Sequence, residues 1–371
     1  LICSVPSTVL AHQHRAVRDR EPPIAHEEST MELTTIWFVL IAFLWIGYFV
    51  LEGFDFGVGG LLPVLAHGDT ERRVMINTIG PVWDGNEVWV LVAIGGTFAA
   101  FPEWYATLLS AFYLPMLIIL VALIGRGVAF EYRGKRDDPR WKARWDHVIV
   151  AGSLIPAFLW GVVLANLAAG LPLDADFEYT GGLADLFGPY ALLGGAATLT
   201  LCLTHGAVFV ALKTNGAIRY RANRLAWTLG LITMPLVVAF LISTVARDSG
   251  VATVVLAAAA IVALGGSLAS NLLKREGWAF IGTAATIVLT VVTLFAGLYP
   301  QVLPSTIDSA YSLTVDNAAA SAYTLRIMTW AAVAFAPLVL LYQGWTYWVF
   351  RRRLSVADIP APDAPKVSSI R

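Results

Sequence analysis

The chain has 371 residues, of which 57% are hydrophobic and only 14% charged, and its mean hydropathy is +0.69. Soluble domains carry nearer a quarter charged residues, so a water-facing globule is excluded. The 25 Lys and Arg against 26 Asp and Glu leave a net charge of -1, which excludes a disordered chain and a basic nucleic-acid binder. The two cysteines, Cys3 and Cys202, sit in no metal-type spacing, which leaves a disulfide scaffold, a zinc site and covalent haem attachment unsupported.

A bilayer core of about 30 Å needs about 20 apolar residues per helix. Runs of that kind predict nine transmembrane helices, at about 34–56, 81–101, 106–126, 147–168, 188–210, 226–246, 250–270, 279–298 and 327–350. Ahead of them, residues 1–30 lack an apolar signal-type core and are expected to be a disordered upstream extension, with Met31 as the natural beginning. Residues 351–371 are expected to form a tail. No gap is long enough for an inserted soluble domain, so any chemistry lies in or beside the membrane.

Lysines and arginines in alternate loops set the orientation. One set holds Arg72 and Arg73, the cluster from Arg126 to Arg144, Lys213 to Arg224, Lys274 and Arg275, and Arg351 to Arg371, 20 in all. The other set holds only Arg247 and Arg326, and the remaining 3 lie in residues 1–30. The positive-inside rule then predicts an outside N-terminus and a cytoplasmic C-terminus. The acidic loop at 169–187, with Asp174, Asp176, Glu178 and Asp185, agrees.

Ionisable residues within spans are costly and default to functional candidates. The first span ends with Glu52 and Asp55, three apart and hence on one helix face. The second opens with Asp84 and Glu87 at the same spacing, about 5 Å and 9 Å inside the membrane. Arg126 ends the third span, with Glu131 just beyond. Carboxylates at graded depths near an arginine can pass protons inward from the cytoplasm. The alternative is that these charges anchor helix ends and pair with one another, with Asp84 facing a helix dipole. Arg126 reads as a charge partner, because guanidinium does not deprotonate. Trp83 and Trp89 flank the carboxylates, either shaping that site or packing in an aromatic belt. Gly53, Gly57, Gly59 and Gly60 read as helix-packing glycines. His205 is the one histidine inside a span, and alone it reads as a packing residue and not an axial ligand, so no metal site is expected in this chain.

Three runs then carry a resemblance: Gly53-Phe54-Asp55-Phe56-Gly57-Val58-Gly59, Thr70-Glu71-Arg72-Arg73-Val74-Met75-Ile76-Asn77 and Trp83-Asp84-Gly85-Asn86-Glu87-Val88-Trp89. With Arg126 to Arg133, Tyr299-Pro300 and Met328 to Trp348, the chain from about Met31 to Trp348 resembles subunit II of the bacterial cytochrome bd quinol oxidases. The resemblance implies a multi-pass subunit of the bacterial plasma membrane, built as two four-helix bundles plus a ninth peripheral helix. It implies an electrogenic complex that oxidises quinol and reduces oxygen to water. Haem b and haem d would be ligated by subunit I, and none by this chain. The resemblance also admits a structural quinone and small accessory subunits. Asp55 and Asp84 match the family's proton-pathway carboxylates, Arg126 its buried arginine, and Trp89 the tryptophan near the partner's haems. Glu52, Glu87, Glu131 and His205 depart from the family's usual Asp, Gln, Asp and Gln, and Glu87 adds a carboxylate to the expected pathway. The competing reading is a secondary transporter of a small solute or ion, which would place its acids near the midplane.

Overall fold

The computed structural model describes residues 23–248 and 250–359, with side chains described from residue 32 onward. Twelve α-helices make up most of it. They are α1 (Pro23–Gly60), α2 (Leu62–Leu65), α3 (Asp69–Ile79), α4 (Trp83–Ala100), α5 (Pro102–Ala111) and α6 (Tyr113–Tyr132). Then follow α7 (Pro139–Ala169), α8 (Pro189–Lys213), α9 (Ala217–Val245), α10 (Val251–Leu272), α11 (Glu276–Leu298) and α12 (Ala322–Val349). Two short antiparallel strands, β1 (Gln301–Leu303) and β2 (Leu313–Thr314), form a ribbon before α12.

Local chemistry explains the helix ends. Pro102, Pro139 and Pro189 open α5, α7 and α8, where a missing N–H costs nothing. The Asp138 side chain caps α7 at Arg140 N, and Ser321 caps α12 at Thr324 N. Gly170 closes α7 with a φ of +81°, a left-handed conformation that glycine adopts without strain. Its chain then turns so that Leu171 N donates to Pro304 O at 2.9 Å, joining the 171–187 loop to the ribbon.

Eight helices are long and apolar enough to cross a membrane among the described residues, one fewer than the nine expected. The second expected span is present as α4, but Asp84, Asn86 and Glu87 in its first turns lower its apolar character. It nonetheless extends from Trp83 to Ala100, whose carbonyl accepts from Ala320 N at 2.8 Å beside the ribbon. The third expected span, 106–126, is also corrected. The chain breaks between α5 and α6, and the apolar helix runs on to Tyr132, followed by a 3-10 turn over Arg133–Lys135. Pro115 favours the break there, since it has no N–H to give the Ala111 carbonyl and its ring crowds that carbonyl, although Pro156, Pro235 and Pro337 are carried inside continuous helices. Other helices outrun their apolar stretches, as α7 does by starting at Pro139, because backbone hydrogen bonding continues past the first charged residue. The expected extension lies outside the described residues up to 22, and residues 23–30 continue the first helix. Of the expected tail, residues 351–359 are described and fold back on the body, with Leu354 N donating to Lys213 O at 2.8 Å.

Helix α1 is central and packs against α4, α7, α8, α11 and α12. Its glycines set the closeness of approach. A Cβ on Gly57 would meet the Cys202 carbonyl and Gly206 backbone of α8, and one on Gly206 would meet the Gly57 backbone. By contrast, a Cβ on Gly53 would make ordinary contacts of 3.6 to 3.9 Å. Helix α12 packs mainly along α1 and α4, and most of its apolar surface is exposed.

The basic ends of the helices are tied by ion pairs. Arg133 binds Asp146 at 2.6 Å and Asp69 at 2.8 Å, Arg72 binds Asp146 at 2.9 Å, and Lys142 binds Asp69 at 2.9 Å. Arg221 of α9 reaches Glu71 of α3 at 2.5 Å, and Arg219 reaches Glu276 at 2.7 Å. Burial alone would raise the Asp69 carboxyl, but hydrogen bonds from Lys142 and Arg133 outweigh it and hold the group below its ordinary value. Glu71 is likewise lowered, its burial outweighed by the hydrogen bond from Arg221.

Two outcomes are expected. Gly57→Val or Gly206→Val forces helix backbones apart and costs about 3 kcal/mol or more, whereas Gly53→Ala stays near wild type; thermal unfolding in detergent separates them. Because Asp69 and Glu71 are depressed on folding, their stabilisation is complete above the ordinary carboxylate range near pH ~4 and is lost as pH falls below it. Asp69→Asn should therefore flatten the acid limb of a stability-against-pH curve.

Candidate functional site

Three of the helices bring intramembrane charges together. Glu52 and Asp55 lie one turn apart on α1, and both are wholly buried. Arg126 of α6 is also wholly buried, and its Nη2 pairs with Glu52 and with Glu87 Oε2 of α4 at 3.2 Å. One nitrogen thus holds two carboxylates. The guanidinium lies 4.8 Å from the Phe56 ring centroid and 5.9 Å from that of Phe130, which supply cation–π attraction in place of water. Gly152 of α7 makes the arginine's position possible, since a Cβ there would meet Arg126 Cβ at 2.7 Å and the Ala122 carbonyl at 2.6 Å.

Asp55 is held separately. Asn86 Nδ2 donates to Asp55 Oδ2 at 2.7 Å. Asn86 Oδ1 in turn accepts from Tyr347 OH at 2.7 Å and from Gln343 Nε2 at 3.1 Å, both on α12. Trp89 Nε1 donates to Gln343 Oε1 at 3.2 Å. The Trp89 ring fills the space that a side chain on Gly47 would need, so it is a packed residue of the α1–α4 interface.

The expected residues are therefore not equivalent. Glu52, Asp55, Glu87 and Arg126 converge, with exposure rising from 0% at the Glu52 side chain to 22% at Glu87. Asp84 stands exposed in the first turn of α4, and Glu131 is exposed at the end of α6. Asn86, Gln343, Tyr347 and Gly152 were not singled out from the sequence. Asn86 sits inside the run 83–89, where it reads as a spacer between acids. Gln343 and Tyr347, four apart in an apolar helix, are the one available signal, a shared polar face.

His205 has both ring nitrogens engaged, Nδ1 with Thr283 Oγ1 at 2.6 Å and Nε2 with the Val50 carbonyl at 3.2 Å. It stacks on Phe280 and crosslinks α1, α8 and α11 as a packing residue. Among the described residues, no group of three or more His, Cys, Asp or Glu is arranged to hold a metal.

The family profile of cytochrome bd terminal oxidase subunit II matches residues 33–350. The chain belongs to that family. It is 44% identical to cytochrome bd ubiquinol oxidase subunit 2 of Bacillus subtilis over 328 residues, covering 87% of this chain and 97% of that protein. It is 34% identical to cytochrome bd-I ubiquinol oxidase subunit 2 of Escherichia coli K12, over 88% of this chain and 96% of that protein. The fold is that of a chain in the structure of bd oxidase from Geobacillus thermodenitrificans, with a TM-score of 0.71, 18% identity, and coverage of 86% of this chain and 99% of that one. As a member of the bd subunit II family it is an all-helical, multi-pass membrane protein, and membership sets the transporter reading aside.

Removing Arg126 leaves buried carboxylate unmatched. Arg126→Gln should cost about 3–5 kcal/mol in thermal unfolding of the assembled protein, and Glu52→Gln in the same chain should recover much of the loss. A pair that does not couple in this double-mutant cycle would refute the assignment of Glu52 as the arginine's main partner.

Proposed function

We propose that this chain, with a haem-bearing subunit I, forms a terminal oxidase that oxidises quinol and reduces oxygen to water, and that its buried acids bring protons to the reaction. The curated relatives are ubiquinol oxidase subunits, which supports the reaction class and the partner. In this reading α4 serves as a ninth span, and the basic helix ends face the cytoplasm under the positive-inside rule. The two-bundle arrangement with α12 at the periphery belongs to the same reading.

Haem b and haem d, carried by subunit I, supply electron transfer and oxygen reduction. This chain's part is the proton path. The observation that carries it is that Glu52 and Glu87 share one guanidinium while Asp55, wholly buried one turn from Glu52, is met by the Asn86 amide and by no base, which leaves more acid than base inside. Full ionisation would leave uncompensated negative charge in a low-dielectric interior, so the cluster holds protons that can move between its members. Asp84 and the partly exposed Glu87 form the entry. Arg126 positions Glu87 beside Glu52 by binding both. Asp55 lies one helical turn further along, with Asn86 fixing Oδ2 and Oδ1 without a protein partner among the described residues. Protons consumed in water formation and drawn from the cytoplasm build a transmembrane gradient without a pump.

The test is turnover of the purified two-subunit complex. Asp55→Asn and Glu52→Gln should lower quinol oxidase turnover about 100-fold or more with subunit ratio and haem spectrum intact. Asp84→Asn, at the exposed entry, should lose less than either. If Asp55→Asn leaves turnover and gradient formation unchanged in an intact complex, the relay is wrong.

A further inference from the structure

Outside the buried cluster, an unexplained cavity of about 370 Å3 lies at the basic end, between α8, α11, the 79–82 turn and the end of α12. Its volume is that of a small-molecule site. Its body is apolar, walled by Val82, Phe209, Leu212 and Phe280, and its rim carries Lys213, Arg351 and Arg353. The cavity touches the proton cluster's network only through Tyr347, whose hydroxyl is already donated to Asn86.

The rim has cationic charge to spare. Lys213 Nζ donates only to the Phe350 and Arg352 carbonyls, and Arg351 only to the Trp348 carbonyl, among the described residues. Arg353 lies 3.5 Å from Glu276, but that carboxylate is shared with Arg219 at 2.7 Å and does not neutralise both. The rim also lies where two apolar helices end, at Lys213 and Val349, with the Trp348 ring 4.4 Å from the Arg351 guanidinium. That is the level at which lipid headgroups meet hydrocarbon, and basic pockets between transmembrane helices suit anionic headgroups there.

We infer that this cavity is a binding site for an anionic phospholipid, with its phosphodiester held at Lys213, Arg351 and Arg353 and acyl carbon against Val82, Phe209 and Phe280. A neutral quinone would leave the rim's cations without a counter-charge. A free phosphate would leave the apolar body without a ligand. The site does not rest on the proton reading, and neither Lys213 nor Arg351 belongs to that path.

The two-subunit complex, reconstituted in phosphatidylcholine nanodiscs with and without phosphatidylglycerol, provides the test. Native mass spectrometry after detergent delipidation should show phosphatidylglycerol retained in preference to phosphatidylcholine. Arg351→Gln removes a rim charge, and Leu212→Trp fills the body while leaving the charges in place. Each should lower phosphatidylglycerol retention about fivefold. Excess inorganic phosphate should not displace the lipid. Equal retention of the two lipids, undiminished retention in both variants, displacement by phosphate, or a quinone in place of the lipid would each overturn the assignment.

Discussion

The structure turns on the burial of one guanidinium. Arg126 has no exposure, and an ion of that kind is tolerable inside a membrane protein only with charge partners and polarisable surfaces around it. Four helices are committed to that environment. Helix α1 supplies Glu52 and Phe56, α4 supplies Glu87, α6 supplies the arginine with Phe130, and α7 supplies the bare backbone at Gly152. The spacing that brings Glu52 and Asp55 to one face also places Phe56 one turn beyond Glu52, so charge partner and aromatic face come from the same segment.

How much of this was legible depends on whether the signal was local. Apolar length located the helices, because each span must satisfy its own backbone in hydrocarbon, but it missed some ends by seven to nine residues, as at the starts of α6, α7 and α9. It failed where hydropathy and backbone chemistry disagree. The chain breaks ahead of Pro115 inside a strongly apolar run, and the polar first turns of α4 weaken a segment that still extends from the basic end to the ribbon. The acids and Arg126 stood out because charge inside a span is rare. Their division did not. Asp84 and Glu87 share a face by spacing, yet the helix begins only one residue before Asp84 and leaves it exposed. Asn86, Gln343 and Tyr347 act as a unit only after α12 is laid along α4, more than 250 residues later in the chain.

Helix α12 shows how little contact such a link needs. It is attached along one narrow face, and its other surfaces carry exposed Trp330, Phe335 and Leu341. Trp37 Nε1 ties its opening turns through the Leu325 carbonyl and Thr329 Oγ1, and Asn86 ties its last turns through Gln343 and Tyr347. An apolar face against lipid gives no preference for one rotation of the helix. A few buried hydrogen bonds do, because each would be left unmade in any other setting.

Charge stoichiometry separates the two sets of acids near the basic end. In the outer set, Asp69, Asp146, Glu71 and Glu276 each meet at least one Arg or Lys, and Asp69, Asp146 and Glu276 each meet two. That is the pattern of an anchor, in which every charge is matched and the helix ends are fastened. In the inner set, Glu52 and Glu87 share one nitrogen of Arg126, while Asp55 is met by an amide instead of a base. Anchoring requires no surplus of acid, and a surplus buried in low dielectric is costly unless protons occupy it. The outer set is explained by fastening helices, whereas the surplus of acid over base in the inner set is what the proposed proton path rests on.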